Sequence, residues 1–180
     1  MVDGHGGDDV SAHPDPRRVM LRAAALEDVD AVRGLVARTV LRTYGPFSPA
    51  VRAAAAEQGT AALVGAGLDF AGAWLAVPPG NGPPLGVVWT GDDLLRELFI
   101  DPSAQGHGLG RLLLHVAERE IAARGHALAR LDVAEPNAAA RRFYAAQGWR
   151  ENGRTLHGRW DFALIAMVKA LPPAGRPDPA

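Results

Sequence analysis

Short apolar segments and stretches with helical spacing alternate along the first half of the chain. Residues 19–24 predict a strand, and residues 28–42 predict an amphipathic helix because valine and leucine recur there every three or four positions. Pro49–Gln58 is rich in alanine and follows Ser48, a residue type that caps helix N-termini, so a second helix is expected. Short apolar runs bounded by turn residues then predict three successive strands, over residues 72–77, 85–90 and Leu94–Ile100.

The second half predicts two more helices and three more strands. Apolar residues at helical spacing predict a helix that ends near Gly125. Its apolar face consists of Leu109, Leu112, Leu113, Val116, Ala117 and Ile121. The remaining elements are a strand over 128–133, a helix over 137–147 that stops at Gly148, and closing strands over 149–154 and 162–171. The order βααβββαβαββ predicts a single α/β (α+β) domain, a mixed sheet with helices on both faces.

Composition predicts the boundaries of this domain and argues against several classes of partner. Residues 1–16 and 172–180 are rich in small residues and Pro and predict disordered tails, which leaves residues 17–171 as the folded domain. The net charge is −1 and Lys169 is the single lysine, so nucleic acid is not expected as a partner. No signal sequence or membrane-spanning run of roughly 20 apolar residues is recognised, so we expect a cytoplasmic protein that does not bind membranes.

A glycine-rich loop begins the helix that follows the predicted strand Leu94–Ile100. Glycine lets the backbone approach a ligand closely, and the free N–H groups of a helix N-terminus attract an anion such as phosphate. The loop consists of Gln105, Gly106, His107, Gly108, Leu109 and Gly110. Arg111 and Leu112 follow where a P-loop requires Lys and Ser or Thr, so that class of phosphate loop is excluded.

A dinucleotide-binding loop is the remaining alternative. Asp132 lies at the end of the next strand, about 20 residues on, where an acid that binds ribose is expected. However, the glycines follow the spacing G-x-G-x-G, and residues 101–104 separate the strand from the loop. Both features disfavour the dinucleotide interpretation.

The sequence resembles the GNAT superfamily of N-acetyltransferases at two motifs that together cover residues 94–149. Gln105, Gly108 and Gly110 match the family's Gln/Arg-x-x-Gly-x-Gly/Ala signature, and the preceding Glu-Leu-Phe-Ile-Asp-Pro resembles its fourth strand and exit turn. The segment from Asn137 to Trp149 is similar to the second motif, with Asn, Phe-Tyr and Gly-aromatic in order. The resemblance implies a GNAT fold, whose fourth and fifth strands splay apart near a bulge.

The resemblance also implies how the donor, acetyl-CoA, is held. The main chain of Leu98, Phe99 and Ile100 would bind pantetheine, and one N–H would polarise the thioester carbonyl. Loop residues 105–110 would bind the pyrophosphate, and His107 and Arg111 are candidates for phosphate contacts, although His107 could equally face solvent. Asn137 is expected to cap its helix, and because the family's matching Asn also meets the cofactor, it is a candidate for cofactor binding as well.

Three side chains are candidates for the chemistry. Tyr144 matches the family's tyrosine near the thioester sulfur and is the predicted general acid; simple packing beside Phe143 is the alternative. Glu97 and Asp132 are both candidates for the general base, and surface carboxylates are the alternative for each. No metal site is expected, since no His or acidic spacing suggests one.

The implied reaction is direct transfer of the acetyl group to a primary amine of a small molecule or peptide. A non-catalytic acyl-CoA-binding module and an acyltransferase for a longer acyl group or an alcohol are the alternatives, and a homodimer is left open. The acceptor pocket of this fold lies between the first helical region and the closing strands. Candidates to line it, or else to lie in the core, are Tyr44, Phe47, Trp74, Trp89 and Trp160.

Overall fold

In a computed structural model of the protein, residues 18–59, 63, 72–80 and 82–173 are described. The strands in these residues are β1 Met20–Ala23, β2 Ala73–Val77, β3 Gly86–Gly91, β4 Leu94–Ile100, β5 Leu128–Ala134, β6 Arg150–Leu156 and β7 Ala163–Ala170. The α-helices are α1 Val29–Tyr44, α2 Pro49–Gln58, α3 Leu109–Ala123 and α4 Ala138–Ala146. The predicted element order is confirmed. The tails predicted at residues 1–16 and 172–180 lie outside the described residues, apart from residues 172 and 173.

The strands form one mixed sheet in the order β1-β2-β3-β4-β5-β7-β6. Neighbours pair antiparallel throughout, except that β4 and β5 run parallel. The parallel pair follows from the connection, because α3 crosses over between the two strands and returns the chain to the same end. Strands β4 and β5 therefore both point their carboxyl ends to the same edge of the sheet.

Helices cover both faces of the sheet, as the alternation of side chains along the central strands requires. In β3, Val88 packs with α3 and α4, whereas Val87 and Trp89 pack with α1 and α2. Strand β2 divides its side chains in the same way, with Ala76 on the first face and Leu75 on the second. Within the described ranges, no helix is long and apolar enough to cross a membrane.

The buried stripe of α3 differs at one edge from the predicted one. Leu109, Leu113, Ala117 and Ile121 are buried as expected, but Leu112 is 38% exposed and Leu114 is 2% exposed. The run of three leucines is compatible with a stripe on either side of Leu113, and contact with β3 and β4 selects Leu114.

A partly buried ion pair ties α3 to the last strand. Glu118 accepts hydrogen bonds from Lys169 Nζ at 2.7 Å to each carboxylate oxygen and from Trp149 Nε1 at 2.9 Å. Trp149 is 2% exposed, and its ring meets that of Tyr144 edge to face at a centroid distance of 6.0 Å. Glu118 thus satisfies a buried donor and fixes the ring that supports Tyr144.

Glu118→Ala is expected to lower the free energy of unfolding by about 2–3 kcal/mol, since it leaves the Trp149 N–H and the Lys169 ammonium without their partner. Urea denaturation measures this loss. The control is Glu151→Ala, which breaks an exposed pair with Arg141 and should cost under about 1 kcal/mol. Equal losses in the two variants would contradict the structural role of Glu118.

Candidate functional site

Strands β4 and β5 pair at a single register position and then separate. Leu94 lies opposite Arg130, whose N–H donates to Asp93 O at 2.8 Å, and no further pair between the two strands exists in the described residues. Residues 95–100 of β4 and 131–134 of β5 therefore border an opening, called here the strand gap. The splay that the family resemblance implies is present.

A β-bulge in β4 lies directly beside the strand gap. In the register with β3, Trp89 faces Glu97 while Thr90 faces Leu95, so Arg96 is an extra residue. The side-chain alternation shifts accordingly: Leu95 packs with α3, whereas Phe99, four residues later, packs with α1. The bulge therefore places Glu97 on the same face as Trp89 and Phe99.

The main chain of β4 offers unpaired groups to the strand gap. Asp101 N donates to Leu85 O at 2.8 Å, which makes these two residues a hydrogen-bonded pair. Because such pairs alternate along antiparallel strands, the backbone groups of Phe99 point to β3 and those of Leu98 and Ile100 point into the gap. Ile100 O already accepts from Gln105 Nε2 at 3.2 Å. The Leu98 N–H and C=O and the Ile100 N–H are the groups left for a ligand.

The glycine loop ends at the start of α3, beside the strand gap. Gly106 and Gly108 have φ values of 80° and 86°, and a Cβ on either would meet nothing within 4 Å. Gly108 is the N-cap and supplies no side-chain cap, and the first helical bond is Leu112 N to Gly108 O at 3.1 Å. The N–H groups of residues 109–111 lie before this bond, at the end of the helix dipole that attracts anions.

The side chains of the loop residues differ in what they can offer an anion. Arg111 and His107 are exposed, and the His107 ring donates to Gln105 O at 2.8 Å. Leu109 is 3% exposed and packs with Leu85, so only its main chain is available. The loop therefore presents backbone N–H groups together with one free guanidinium.

Asn137 caps α4 as predicted. Its Oδ1 accepts from Ala140 N at 3.1 Å. This N-terminus follows β5 directly, so the starts of α3 and α4 lie at the same edge of the sheet, on either side of the strand gap. The predicted contact of Asn137 with a cofactor remains a prediction.

A cavity of about 890 Å³ opens on the other face of the sheet. We call it the aromatic cavity after the rings in its wall, which it shares with several charged side chains; the rings are Tyr44, Trp89, Phe99, His157, Trp160 and Phe162. Tyr44 and Phe162 also contact Phe47, with centroid distances of 5.4–5.7 Å within the trio. Of the five aromatic residues predicted to line a pocket, Trp74 lies on the opposite face, against the α3 core.

Glu97 and Asp132 both line the aromatic cavity. Glu97 is exposed to the cavity, and desolvation by the strands and rings around it raises the pKa of Glu97 to about 7. Asp132 is exposed as well. Among the described residues, no group of three or more His, Asp or Glu side chains could hold a metal ion.

Tyr144 lies on the α3 side of the strand gap and is 8% exposed. Burial raises the pKa of Tyr144 most, and the charges of Tyr44 and Glu97 raise it further, so the phenol stays protonated. The electrostatic influence of Tyr44 and Glu97 therefore reaches Tyr144 across the gap. Within the described part of the chain its hydroxyl has no hydrogen-bond partner, and no buried side-chain polar atom there is unsatisfied. The hydroxyl is therefore accessible.

His157 and Phe162 also line the cavity and were not among the aromatic candidates. They lie in the connection between β6 and β7, among Gly, Arg and Asp, where no periodicity or motif marks a buried ring. Asp161 in the same connection accepts a hydrogen bond from Ser48, the N-cap of α2. This contact holds the connection against the corner between α1 and α2.

Comparison with known families agrees with this geometry. The sequence profile described as "Acetyltransferase (GNAT) family" matches residues 47–149, more than half of the chain. The chain belongs to the GNAT acetyltransferase family. Among curated proteins, no sequence matches significantly. The family assignment supports an acyl-CoA-dependent acetyltransferase, and it covers the strand gap, the glycine loop and α4.

Solved GNAT structures share the fold. A GCN5-related N-acetyltransferase from Rhodopseudomonas palustris is 23% identical with a TM-score of 0.66, over 86% of this chain and 96% of that one. PaiA N-acetyltransferase from Thermoplasma acidophilum, in complex with coenzyme A, is 17% identical with a TM-score of 0.64, over 84% and 98%. The putative acetyltransferase yncA from Salmonella typhimurium, with acetyl-CoA, is 21% identical with a TM-score of 0.60, over 91% and 99%.

The raised pKa of Glu97 should make the thermal stability of the protein depend on pH. Its folded value of about 7 lies above the ordinary 4.5, so ionisation costs the folded state stability as pH rises through this range, whereas below pH 4.5 both states are protonated. Glu97→Gln should therefore raise Tm relative to the wild type at pH 8 and by clearly less at pH 4.5. Calorimetry at both values tests this, with Glu151→Gln on β6 as the control for loss of a negative charge. A pH-independent difference would contradict it.

Proposed function

We propose that this GNAT protein is an N-acetyltransferase that transfers the acetyl group of acetyl-CoA directly to a primary amine of a small molecule or a peptide. The observation that carries the proposal is Glu97, a carboxyl group with a pKa of about 7 that faces the aromatic cavity beside the strand gap. A base with this pKa accepts a proton from an ammonium group near neutral pH. Alcohols and longer acyl chains are the alternatives to be tested.

The described residues fit acetyl-CoA, which would supply the acetyl group as an activated thioester. The free N–H groups at the start of α3, with Arg111 beside them, suit a pyrophosphate. The unpaired main-chain groups of Leu98 and Ile100 suit the amide-containing arm and one of these N–H groups would donate to the thioester carbonyl. Phe99 contributes its side chain to the cavity wall and not its main chain.

Glu97 is the proposed general base, and Asp132 is the second choice. The amine attacks only when its lone pair is free, so the ammonium form first gives a proton to the Glu97 carboxylate, directly or through water. The nitrogen then forms a bond to the carbonyl carbon as the bond from carbon to sulfur breaks. Asp132 also lines the cavity and is exposed, so its charge can attract a cationic substrate.

Tyr144 is the proposed general acid. Its raised pKa keeps the proton on the hydroxyl until a stronger base, the departing thiolate, is formed beside it. The nitrogen loses two protons in all: the first goes to Glu97 before attack, and the second leaves as the amide forms. The thiolate gains one proton from Tyr144, the second nitrogen proton restores the Tyr144 hydroxyl directly or through water, and Glu97 releases the first to solvent. The chain contains no cysteine, the commonest acyl-enzyme nucleophile, and direct transfer needs no covalent enzyme intermediate.

The proposal is tested by isothermal titration with acetyl-CoA, followed by thiol release across a panel of primary amines and the matching alcohols. Binding with amine-dependent thiol release is expected. Binding without release from any amine would favour the non-catalytic acyl-CoA-binding module, and release with alcohols alone would assign an O-acyltransferase.

Replacement of the proposed base tests its role. The wild-type kcat/KM should rise with pH through about 7, since Glu97 must be ionised, and Glu97→Gln should remove this step and lower kcat at pH 8 roughly 10²-fold. Stopped assays of thiol release over pH 5–9 measure both. Asp132→Asn is the matched variant at the other carboxylate; if it causes the larger loss, Asp132 is the base.

Removal of the Tyr144 hydroxyl tests the proposed acid. Tyr144→Phe keeps the ring contacts with Phe143 and Trp149, so it should lower kcat by roughly 10²-fold while the Kd for CoA changes little. Titration and steady-state kinetics separate the two effects. Unchanged activity at every pH would exclude Tyr144 from the mechanism.

A further inference from the structure

His157 lies in the wall of the aromatic cavity and has no part in the mechanism above. It is half-buried at the start of the connection between β6 and β7. Its ring meets Phe162 edge to face at a centroid distance of 5.1 Å and tilts toward Trp160 at 6.5 Å. The ring is therefore held between two other rings of the cavity.

The protonation state of His157 is fixed by the turn that follows it. Its Nδ1 accepts from Arg159 N at 2.9 Å and from Trp160 N at 3.1 Å. A ring nitrogen that accepts two hydrogen bonds carries no proton, so the neutral ring must carry its proton on Nε2. Burial, and then the charge of Arg159, lower the pKa of His157, which favours this neutral form further.

The same arrangement excludes His157 as a general base and makes it a donor. Nδ1 is occupied, and Nε2 already carries the proton. Across the described residues, Nε2 has no hydrogen-bond partner and is not a buried unsatisfied atom. It is the one polar atom of the ring left for a ligand, and His157 lines the cavity.

The segment that carries His157 is anchored on the side of the cavity formed by α1 and α2. His157 N donates to Phe162 O at 3.0 Å, and Asp161 accepts from Ser48, which is fully buried. Phe162 packs against Tyr44 at 5.4 Å. The Nε2–H donor is thus preorganised relative to the ring of Tyr44, whose raised pKa is caused by burial and by Glu97.

We propose that the Nε2–H of His157 binds an oxygen of the acceptor substrate, so that this enzyme selects primary amines that carry a carbonyl or another oxygen acceptor close to the amine. The inference rests on the proposed function and names its substrate class. A donor fixed among aromatic rings is costly to bury without a partner, so an amine that lacks the oxygen is penalised.

Two ligands test the proposal: phenylalaninamide and phenethylamine, which share a benzyl group and a primary amine and differ in the carboxamide. Their Kd values are measured by isothermal titration in the wild type and in His157→Asn. The Asn side chain keeps an oxygen that can accept from the N–H groups of the turn but lacks the donor at Nε2. Comparing the same two ligands in both proteins cancels their difference in basicity.

The preference is the Kd of phenethylamine divided by the Kd of phenylalaninamide. We expect this ratio to be about tenfold larger in the wild type than in His157→Asn. His157→Gln, which restores a side-chain N–H near Nε2 but lacks the turn acceptor, should recover part of this preference at a lower Tm. A purely structural role predicts the reverse: loss of Tm without a change in preference. Nitrogen-15 NMR of the wild type should show the His157 proton on Nε2 from pH 6 to 8.

The inference is overturned if both proteins show the same preference, if the wild type binds neither amine, or if the proton is found on Nδ1. These measurements need no turnover. If the wild type shows the expected ligand preference but no amine causes thiol release from acetyl-CoA, the proposed function is wrong. The binding role of His157 is then still supported.

Discussion

In the described part of the chain, strands β4 and β5 pair only where Leu94 meets Arg130, and the bulge at Arg96 turns β4 away from its neighbour beyond that point. An opened sheet exposes main-chain groups that would otherwise pair, and a buried N–H without a partner is costly. The same opening supplies the unpaired groups of Leu98 and Ile100 and connects the two faces of the sheet. The glycine loop, Glu97 and Tyr144 all lie beside it.

The strand gap also explains the electrostatics of the site. Glu97 and Tyr44 belong to the α1 face and Tyr144 to the α3 face, yet each tyrosine has its pKa raised by Glu97 in addition to burial. Such coupling requires that little water screens the charges. Glu97 thus titrates near neutrality while the Tyr144 phenol stays protonated, which suits the proposed base and the proposed acid.

Periodicity was sufficient for the elements and for their order, because α3 and α4 are amphipathic and the strands are short apolar runs between turn residues. It was insufficient at Leu112 and Leu114, where three adjacent leucines allow two stripes and contact with the sheet selects one. The choice between the two candidate bases was also beyond what periodicity can decide. The sequence offered Glu97 and Asp132 as equals, since it contains no information on how much water each carboxylate loses.

The sequence was enough to predict the elements, the glycine loop, the Asn137 cap and the GNAT resemblance, because each is visible in short runs of residue types and in their order along the chain. Tertiary structure alone decided the register shift at Arg96, the desolvation of Glu97 and the place of His157. These depend on contacts between segments far apart in the chain, such as Asp161 with Ser48. A local pattern records which residue types are adjacent, whereas burial and hydrogen bonding across the fold decide what those residues can do.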